Sequence, residues 1–112
     1  MEPKIKVFNK NTVADNEYDL TYVGRPTPLG NPFIIGKDGD RDEVIEKYKV
    51  WLEGQLRSEN ETRRMFDALF DELRHRGTLR LLCWCAPEPC HADVLAKRLL
   101  DKWYYRVAQA PY

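Results

Sequence analysis

Leu79-Arg80-Leu81-Leu82-Cys83-Trp84 leads directly into Cys85-Ala86-Pro87-Glu88-Pro89-Cys90-His91, and the other segments of the chain are best interpreted from this stretch. Its first part is short and apolar and is bounded by Gly77 and Pro87, a pattern that predicts a buried central strand. Over residues 90–104, apolar residues recur at helical spacing and predict the last helix. A strand that is followed closely by a helix is typical of α/β proteins, which place their sites at such junctions.

Two more strands are predicted near the start of the chain. Lys4–Phe8 alternates polar and apolar residues, which indicates a first strand. Asp19–Val23 is predicted to be a second strand, and the polar segment from Asn9 to Asn16 connects the two.

Two helices are predicted between the second strand and the central one. Asp40 with Glu43 forms a capping-box pattern, and apolar residues follow it at helical spacing. Ser58 with Glu61 repeats the capping pattern before a second amphipathic segment. Gly77 is a suitable residue to end that second helix, because glycine adopts the left-handed conformation that closes many helices.

The resulting order β-β-α-α-β-α, with short links, predicts a single α/β domain over residues 1–112. We expect a small layered domain, Rossmann-like in its order, in which three helices pack against a short, mainly parallel sheet. A chain of 112 residues is long enough to bury an ordinary hydrophobic core.

Composition restricts the class of partner. Lys plus Arg and Asp plus Glu both number 18, so the chain lacks the overall basic field of a dedicated duplex-binding protein. Nucleic acid is therefore less favoured than a small ligand, although local basic patches remain compatible with it. No apolar run reaches the roughly 20 residues of a membrane span, and no signal-peptide pattern opens the chain. Three tightly clustered cysteines fit a reducing, cytoplasmic setting without a membrane.

The cysteine–histidine run permits a metal interpretation. Cys83, Cys85, Cys90 and His91 are a chemically acceptable zinc set, and zinc is the one cofactor that these residues suggest. Their spacing is unusual, because adjacent side chains such as Cys90 and His91 rarely reach one metal ion without strain.

The alternative is a reactive thiol. Cys90 falls at the predicted start of a helix, where the helix dipole lowers a thiol pKa and favours a nucleophile. His91 is the candidate proton-transfer partner, and Asp93 the candidate that orients its imidazole. On this interpretation Cys90 and His91 are accessible, whereas Cys83 and Cys85 share one buried strand face and Trp84 packs in the core on the other. Free cysteines that only fill the core are the structural alternative.

A stiff loop follows the second strand. Its prolines limit its freedom, while Gly24 and Gly30 allow turns and close approach to a ligand. Arg25 offers a fork of donors suited to phosphate or carboxylate, and Asn31 offers an amide that reads a base edge or caps a turn. With Phe33 these residues form a candidate ligand site. The alternative is a rigid turn in which Arg25 pairs with a surface carboxylate.

Three motifs occur in a recognisable order. They are Tyr22-Val23-Gly24-Arg25-Pro26 with Gly30-Asn31-Pro32-Phe33, then Asp40-Arg41-Asp42, then Cys83-Trp84-Cys85-Ala86-Pro87 with Cys90-His91-Ala92-Asp93-Val94-Leu95. Together they resemble the domain-of-unknown-function 4326 family of bacteria and their phages, over about residues 22–100. The resemblance implies a compact intracellular domain whose loop and cysteine segment form one site, and it implies no reaction. The candidate site that the resemblance implies consists of Arg25, Asn31, Cys83, Cys85, Cys90 and His91.

Two functional hypotheses follow. The first is a small enzyme or binding domain for a nucleotide-like or other anionic small molecule, held by Arg25 and the start of the last helix. Cys90 and His91 would lie nearest the chemistry, so that an enzyme of this kind would be a cysteine/histidine-dependent hydrolase or transferase. The second is a zinc-stabilised interaction module, a phage protein that acts on a host partner.

Overall fold

The computed structural model describes residues 2–14, 17–86 and 88–109. Within these ranges it contains six elements in the predicted order β-β-α-α-β-α, namely β1 (Lys4–Asn9), β2 (Leu20–Tyr22), α1 (Arg41–Gln55), α2 (Glu61–Arg76), β3 (Thr78–Cys83) and α3 (His91–Gln109). The predicted class, a small α/β domain with three helices, is confirmed. The predicted polar connection from Asn9 to Asn16 includes residues 15 and 16, which lie outside the described ranges.

The described strands form one sheet in the order β1-β3-β2, and both pairings are parallel. The predicted central strand is therefore confirmed as β3, and the sheet is wholly rather than mainly parallel. Three strands do not establish a Rossmann-like order, so that part of the prediction is not confirmed. Because all three strands run the same way, Asn9, Tyr22 and Cys83 end at one edge of the sheet.

The helices cover one face of this sheet. Leu79, Leu81 and Cys83 alternate along β3, are buried, and belong to the same hydrophobic cluster as the buried side chains of all three helices. Ile5 and Val7 of β1 pack against this cluster from the neighbouring strand. The described elements thus form two layers, with the core between the sheet and the helices.

Local capping sets the helix boundaries. The capping box of Asp40 and Glu43 at the start of α1 is confirmed, and Gly77 ends α2 in the left-handed region with φ of 75°. The predicted start of α2 at Ser58 is wrong. Asn60 caps this helix instead, because its side-chain oxygen accepts a hydrogen bond from the Arg63 backbone N–H at 2.8 Å.

The last helix also differs from its prediction. It starts at His91, with Cys90 in the capping position, and continues past Tyr104 to Gln109. No glycine or proline interrupts the sequence between Pro89 and Pro111, so nothing stops the helix at Tyr104. Over the described residues, no helix is long and apolar enough to cross a membrane.

The loop that follows β2 is fixed by buried contacts. The Tyr48 hydroxyl of α1 donates to the Leu29 carbonyl at 2.8 Å, and the Thr62 hydroxyl of α2 donates to the Pro28 carbonyl at 2.9 Å. Gly30 packs so closely that a Cβ there would lie 2.7 Å from the Arg25 backbone nitrogen. These contacts hold the start of the loop in one place relative to α1 and α2.

We expect Tyr48→Phe to lower the free energy of unfolding by about 1–2 kcal/mol, because the buried Leu29 carbonyl would lose its hydrogen-bond partner. Urea denaturation measures this loss. Tyr18→Phe is the matched control, since the Tyr18 side chain is 72% exposed and its change should stay within about 0.5 kcal/mol. Equal stability of Tyr48→Phe and the unchanged protein would show that the loop is not anchored in this way.

Candidate functional site

The two segments singled out by the sequence meet in one pocket. It has a volume of about 400 Å³ and opens at the carboxyl edge of the sheet, beside the start of α1. Seven of the predicted site residues line it: Gly24, Arg25, Asn31, Phe33, Cys85, Cys90 and His91. The other three, Gly30, Cys83 and Asp93, are not part of the lining.

His91 joins the two segments. Its Nε2 lies 2.7 Å from the Val23 carbonyl oxygen, and its ring meets Tyr48 edge-on at 5.1 Å between centroids. A carbonyl oxygen only accepts, so Nε2 carries the proton and Nδ1 is the acceptor atom of the neutral ring. The side chain is only 8% exposed, and this burial lowers the pKa of His91 below its ordinary value. The pocket is therefore lined by a neutral imidazole at neutral pH.

Cys90 is not the accessible thiol that the helix start predicts. It is 3% exposed, and its Sγ lies 3.3 Å from the Sγ of the fully buried Cys83. The neighbouring Cys83 sulfur and burial together raise the pKa of Cys90, which outweighs the hydrogen bond that its sulfur accepts from the Ala92 backbone N–H. The prediction of an exposed Cys90 with a lowered pKa is wrong, because packing against Cys83 dominates over the helix dipole.

Asp93 acts as a cap for α3. Its Oδ2 accepts a hydrogen bond from the Cys90 backbone N–H at 3.0 Å, while the Cys90 sulfur accepts from Ala92. The Asp93 carboxylate is thus engaged by the helix start, and Nε2 of His91 is held by Val23 rather than by Asp93. The same contacts occupy the backbone donors of Cys90 and Ala92, so these two groups are not free to hold an anion.

The metal interpretation finds no geometric support in the part of the chain that the structure describes. No group of three or more His, Cys, Asp and Glu side chains there is arranged to hold a metal ion. Cys83 and Cys90 contact each other, but Cys85 lies beside the Arg41 guanidinium, a contact that raises the pKa of Arg41. β3 ends at Cys83, so strand alternation does not place Cys85 on the same face.

Two of the loop residues have distinct roles. The Asn31 side chain caps the local turn, because its Oδ1 accepts from the Phe33 backbone N–H at 2.9 Å and its Nδ2 donates to the Val44 carbonyl at 3.2 Å. Arg25 is exposed, and no described carboxylate lies within ion-pairing distance of it. Among the residues that the structure describes, the alternative of a turn that pairs Arg25 with a surface carboxylate is therefore not observed.

Arg41 lines the pocket but was not among the predicted site residues, although it lies in the Asp40-Arg41-Asp42 motif. It is the first residue of α1, and its guanidinium donates to the Pro89 carbonyl at 3.1 Å and pairs with Glu88 at 3.2 Å. Its position in that motif, directly after the Asp40 cap, places it in the first helical turn but does not indicate a pocket. A contact with a segment so distant along the chain becomes visible only in the folded structure.

Trp84 was expected in the core and instead lies at the pocket rim, 49% exposed. Its indole N–H donates to the Tyr22 hydroxyl at 2.8 Å, and that hydroxyl donates to the Arg25 carbonyl at 2.6 Å. The prediction fails because the helices cover only the sheet face on the other side of β3. Asn9 holds the adjoining turn, since its Nδ2 donates to the carbonyls of Trp84 and Ala86 at 3.0 and 2.7 Å.

We expect Cys85 to react first with iodoacetamide in the folded protein, because it is partly exposed in the pocket whereas Cys83 and Cys90 are buried. Peptide mass mapping after timed alkylation measures each thiol separately. The unfolded chain in urea provides the control in which all three thiols should react. Labelling of Cys90 as fast as that of Cys85 would contradict the buried position of Cys90.

His91 makes stability depend on pH. Its pKa is lowered in the folded state, so the unfolded chain takes up a proton where the folded chain does not, and stability falls as the pH drops below about 6.5. The free energy of unfolding falls by at most about 1.4 kcal/mol per pH unit from this one group. Urea denaturation measures the free energy of unfolding at each pH. Between about pH 7.5 and about pH 5.5 this free energy should fall more for the unchanged protein than for His91→Gln. Equal losses, or an NMR titration of the His91 ring at or above the ordinary value, would refute this assignment.

Comparison with known proteins agrees with the sequence motifs. The family model described as a domain of unknown function, DUF4326, matches residues 7–101. The "uncharacterized 12.4 kDa protein in nrdA-td intergenic region" of Enterobacteria phage T4 is 34% identical over 92 residues, which cover 81% of this chain and 73% of the phage protein. No solved structure matches the chain. The chain belongs to the DUF4326 family.

Proposed function

We propose that the pocket binds a small, anionic, nucleotide-like molecule. The observation that carries this proposal is the presence of two guanidinium groups, Arg25 and Arg41, at one pocket that also has apolar walls. Arg25 has no carboxylate within pairing distance among the described residues. An unpaired guanidinium beside a pocket suits a phosphate or carboxylate ligand.

Arg41 can contribute to the same anion. Its contacts with Pro89 and Glu88 use part of the five donors of the guanidinium. Glu88 is 66% exposed, so its ion pair with Arg41 contributes little to stability and a ligand phosphate could replace it. The anion would therefore be held by Arg25 and Arg41 rather than by the start of α3, whose backbone donors at Cys90 and Ala92 are already engaged.

The remaining walls suit a planar organic group. Phe33, Val44 and Ile45 supply apolar surface, and Trp84 supplies an aromatic rim. A volume of about 400 Å³ falls within the usual range of small-molecule pockets. His91 adds a neutral Nδ1 that can accept a hydrogen bond from a ligand N–H or O–H group.

The same geometry favours binding over catalysis by Cys90. Cys90 is buried against Cys83 and its pKa is raised, which is the opposite of an activated nucleophile. If the ligand is also turned over, His91 is the candidate base, because its neutral ring lines the pocket and keeps one unprotonated nitrogen. A hydrolase or transferase activity would then depend on His91 rather than on Cys90.

Binding can be tested by isothermal titration calorimetry with nucleoside monophosphates and the matching nucleosides. We expect the monophosphates to bind at least about tenfold more tightly, because a charge-assisted hydrogen bond to phosphate contributes about 1.5–3 kcal/mol. Arg25→Gln and Arg41→Gln should each reduce this preference. Lys49→Gln, an exposed change on α1 outside the pocket lining, should leave it unchanged.

The proposal fails if nucleosides bind as tightly as their monophosphates, or if none of these compounds binds. It also fails if Lys49→Gln weakens binding as much as Arg41→Gln does, since the effect would then come from overall charge. Inorganic phosphate as a competitor tests whether the anion alone occupies the arginine end of the pocket.

A further inference from the structure

The sheet has a second face that the described helices do not cover. Strand alternation and register place Lys6 and Phe8 of β1, Arg80 and Leu82 of β3, and Tyr22 of β2 side by side on it. None of these five side chains belongs to the hydrophobic core, and none is fully buried. We call this surface the open face. Parallel sheets are usually covered on both sides, so an open one marks an interaction surface.

The open face is basic. Lys4, Lys6 and Arg80 lie on it, and Lys10 joins it at the end of β1, where its Nζ lies 4.7 Å from the centre of the Tyr22 ring. The strand positions that share this face contain no aspartate or glutamate. One acidic side chain reaches it from the edge, since Glu17 pairs with Arg80 at 2.7 Å. Because the whole chain is formally neutral, the acidic excess lies elsewhere.

Aromatic rings alternate with these cations. Lys6 lies 5.0 Å from the centre of the Phe8 ring, and Lys10 lies 5.0 Å from the centre of the Trp84 ring. Trp84 is half exposed, and its hydrogen bond to Tyr22 fixes the two rings relative to each other. The surface therefore combines rigid stacking platforms with long cationic side chains that can move aside.

We infer that the open face binds single-stranded nucleic acid. Lysine and arginine neutralise backbone phosphates, while bases of a single strand are free to stack on exposed aromatic rings. A duplex keeps its bases stacked internally and would leave Trp84 and Tyr22 unused. An acidic peptide would match the charge but not the rings. A second copy of the chain would bring the lysines of two open faces together, which like-charge repulsion disfavours.

The open face adjoins the pocket, because Tyr22 lies on this face and also lines the pocket, and the pocket-rim residue Trp84 donates to its hydroxyl. A strand lying on the sheet could thus present one nucleotide to Arg25 and Arg41. The inference does not require this, since it stands on the charges and rings of the sheet alone. Lys6→Gln on the sheet and Arg41→Gln in the pocket therefore test separate ideas, because Lys6 does not line the pocket and Arg41 does not lie on the sheet.

Fluorescence anisotropy with a labelled oligothymidylate tests the inference on the full chain. We expect binding that weakens about 20- to 50-fold between about 50 and about 200 mM salt, the dependence for three or four neutralised phosphates on a single strand. Lys6→Gln should reduce the slope of log affinity against log salt by about 0.7. Lys49→Gln on α1 is the matched control and should keep the full slope.

Stacking is tested by Trp84→Leu, which should weaken binding about 5- to 100-fold at both salt concentrations while keeping the slope. Circular dichroism establishes that each variant is folded, and the exposed Lys6→Gln provides an independent readout if Trp84→Leu is not. Arg41→Gln separates the two sites, because it should reduce the monophosphate preference of the pocket while oligothymidylate still binds the sheet in a Lys6-dependent way.

The inference is overturned if Lys6→Gln and Lys49→Gln behave alike, or if binding does not respond to salt. Equally tight binding of blunt duplex DNA, or equal competition by polyglutamate, would indicate charge attraction without stacking and would also overturn it. Sedimentation that shows a dimer closed through the open face would assign this surface to a second copy instead.

Discussion

The hydrogen bond between His91 Nε2 and the Val23 carbonyl oxygen is the contact on which the candidate site depends. It joins the start of α3 to the end of β2, and the pocket exists because these two chain segments are held at a fixed distance. Burial keeps the ring neutral, so one nitrogen donates to Val23 and the other remains an acceptor. Tyr48 packs against the ring and simultaneously anchors the loop through Leu29.

The cysteines support this arrangement rather than supply its chemistry. Cys83 and Cys90 are in contact where β3 ends and α3 begins, so they pack the junction between the strand and the helix. Cys85 alone is partly exposed, beside Arg41. Cys85 thus lines the pocket from a partly exposed position, while Cys83 and Cys90 pack against each other and stabilise the segment that carries His91. The three cysteines are close together in sequence but lie in two different environments in the structure.

Charge is distributed unevenly over a neutral chain. Basic and aromatic residues share the open face of the sheet, while the layer of helices carries most of the ion pairs, such as those of Arg63 with Asp67 and Lys97 with Asp101. Net charge averages over both layers and therefore conceals the basic surface. The neutral composition that made nucleic acid a less favoured partner does not describe the surface that a partner would meet.

The sequence by itself determined the order of the elements, the central strand, the Asp40 and Gly77 caps, and the meeting of the Gly24–Phe33 loop with the cysteine segment. The elements and their caps follow from local periodicity and capping chemistry, whereas the shared site of the loop and the cysteine segment was implied by the resemblance of the motifs to the family. Only the tertiary structure decided that Cys90 is buried, that Trp84 is exposed and that Arg41 belongs to the pocket. Each of these depends on which layer covers which face, and such long-range packing leaves no local pattern in the sequence.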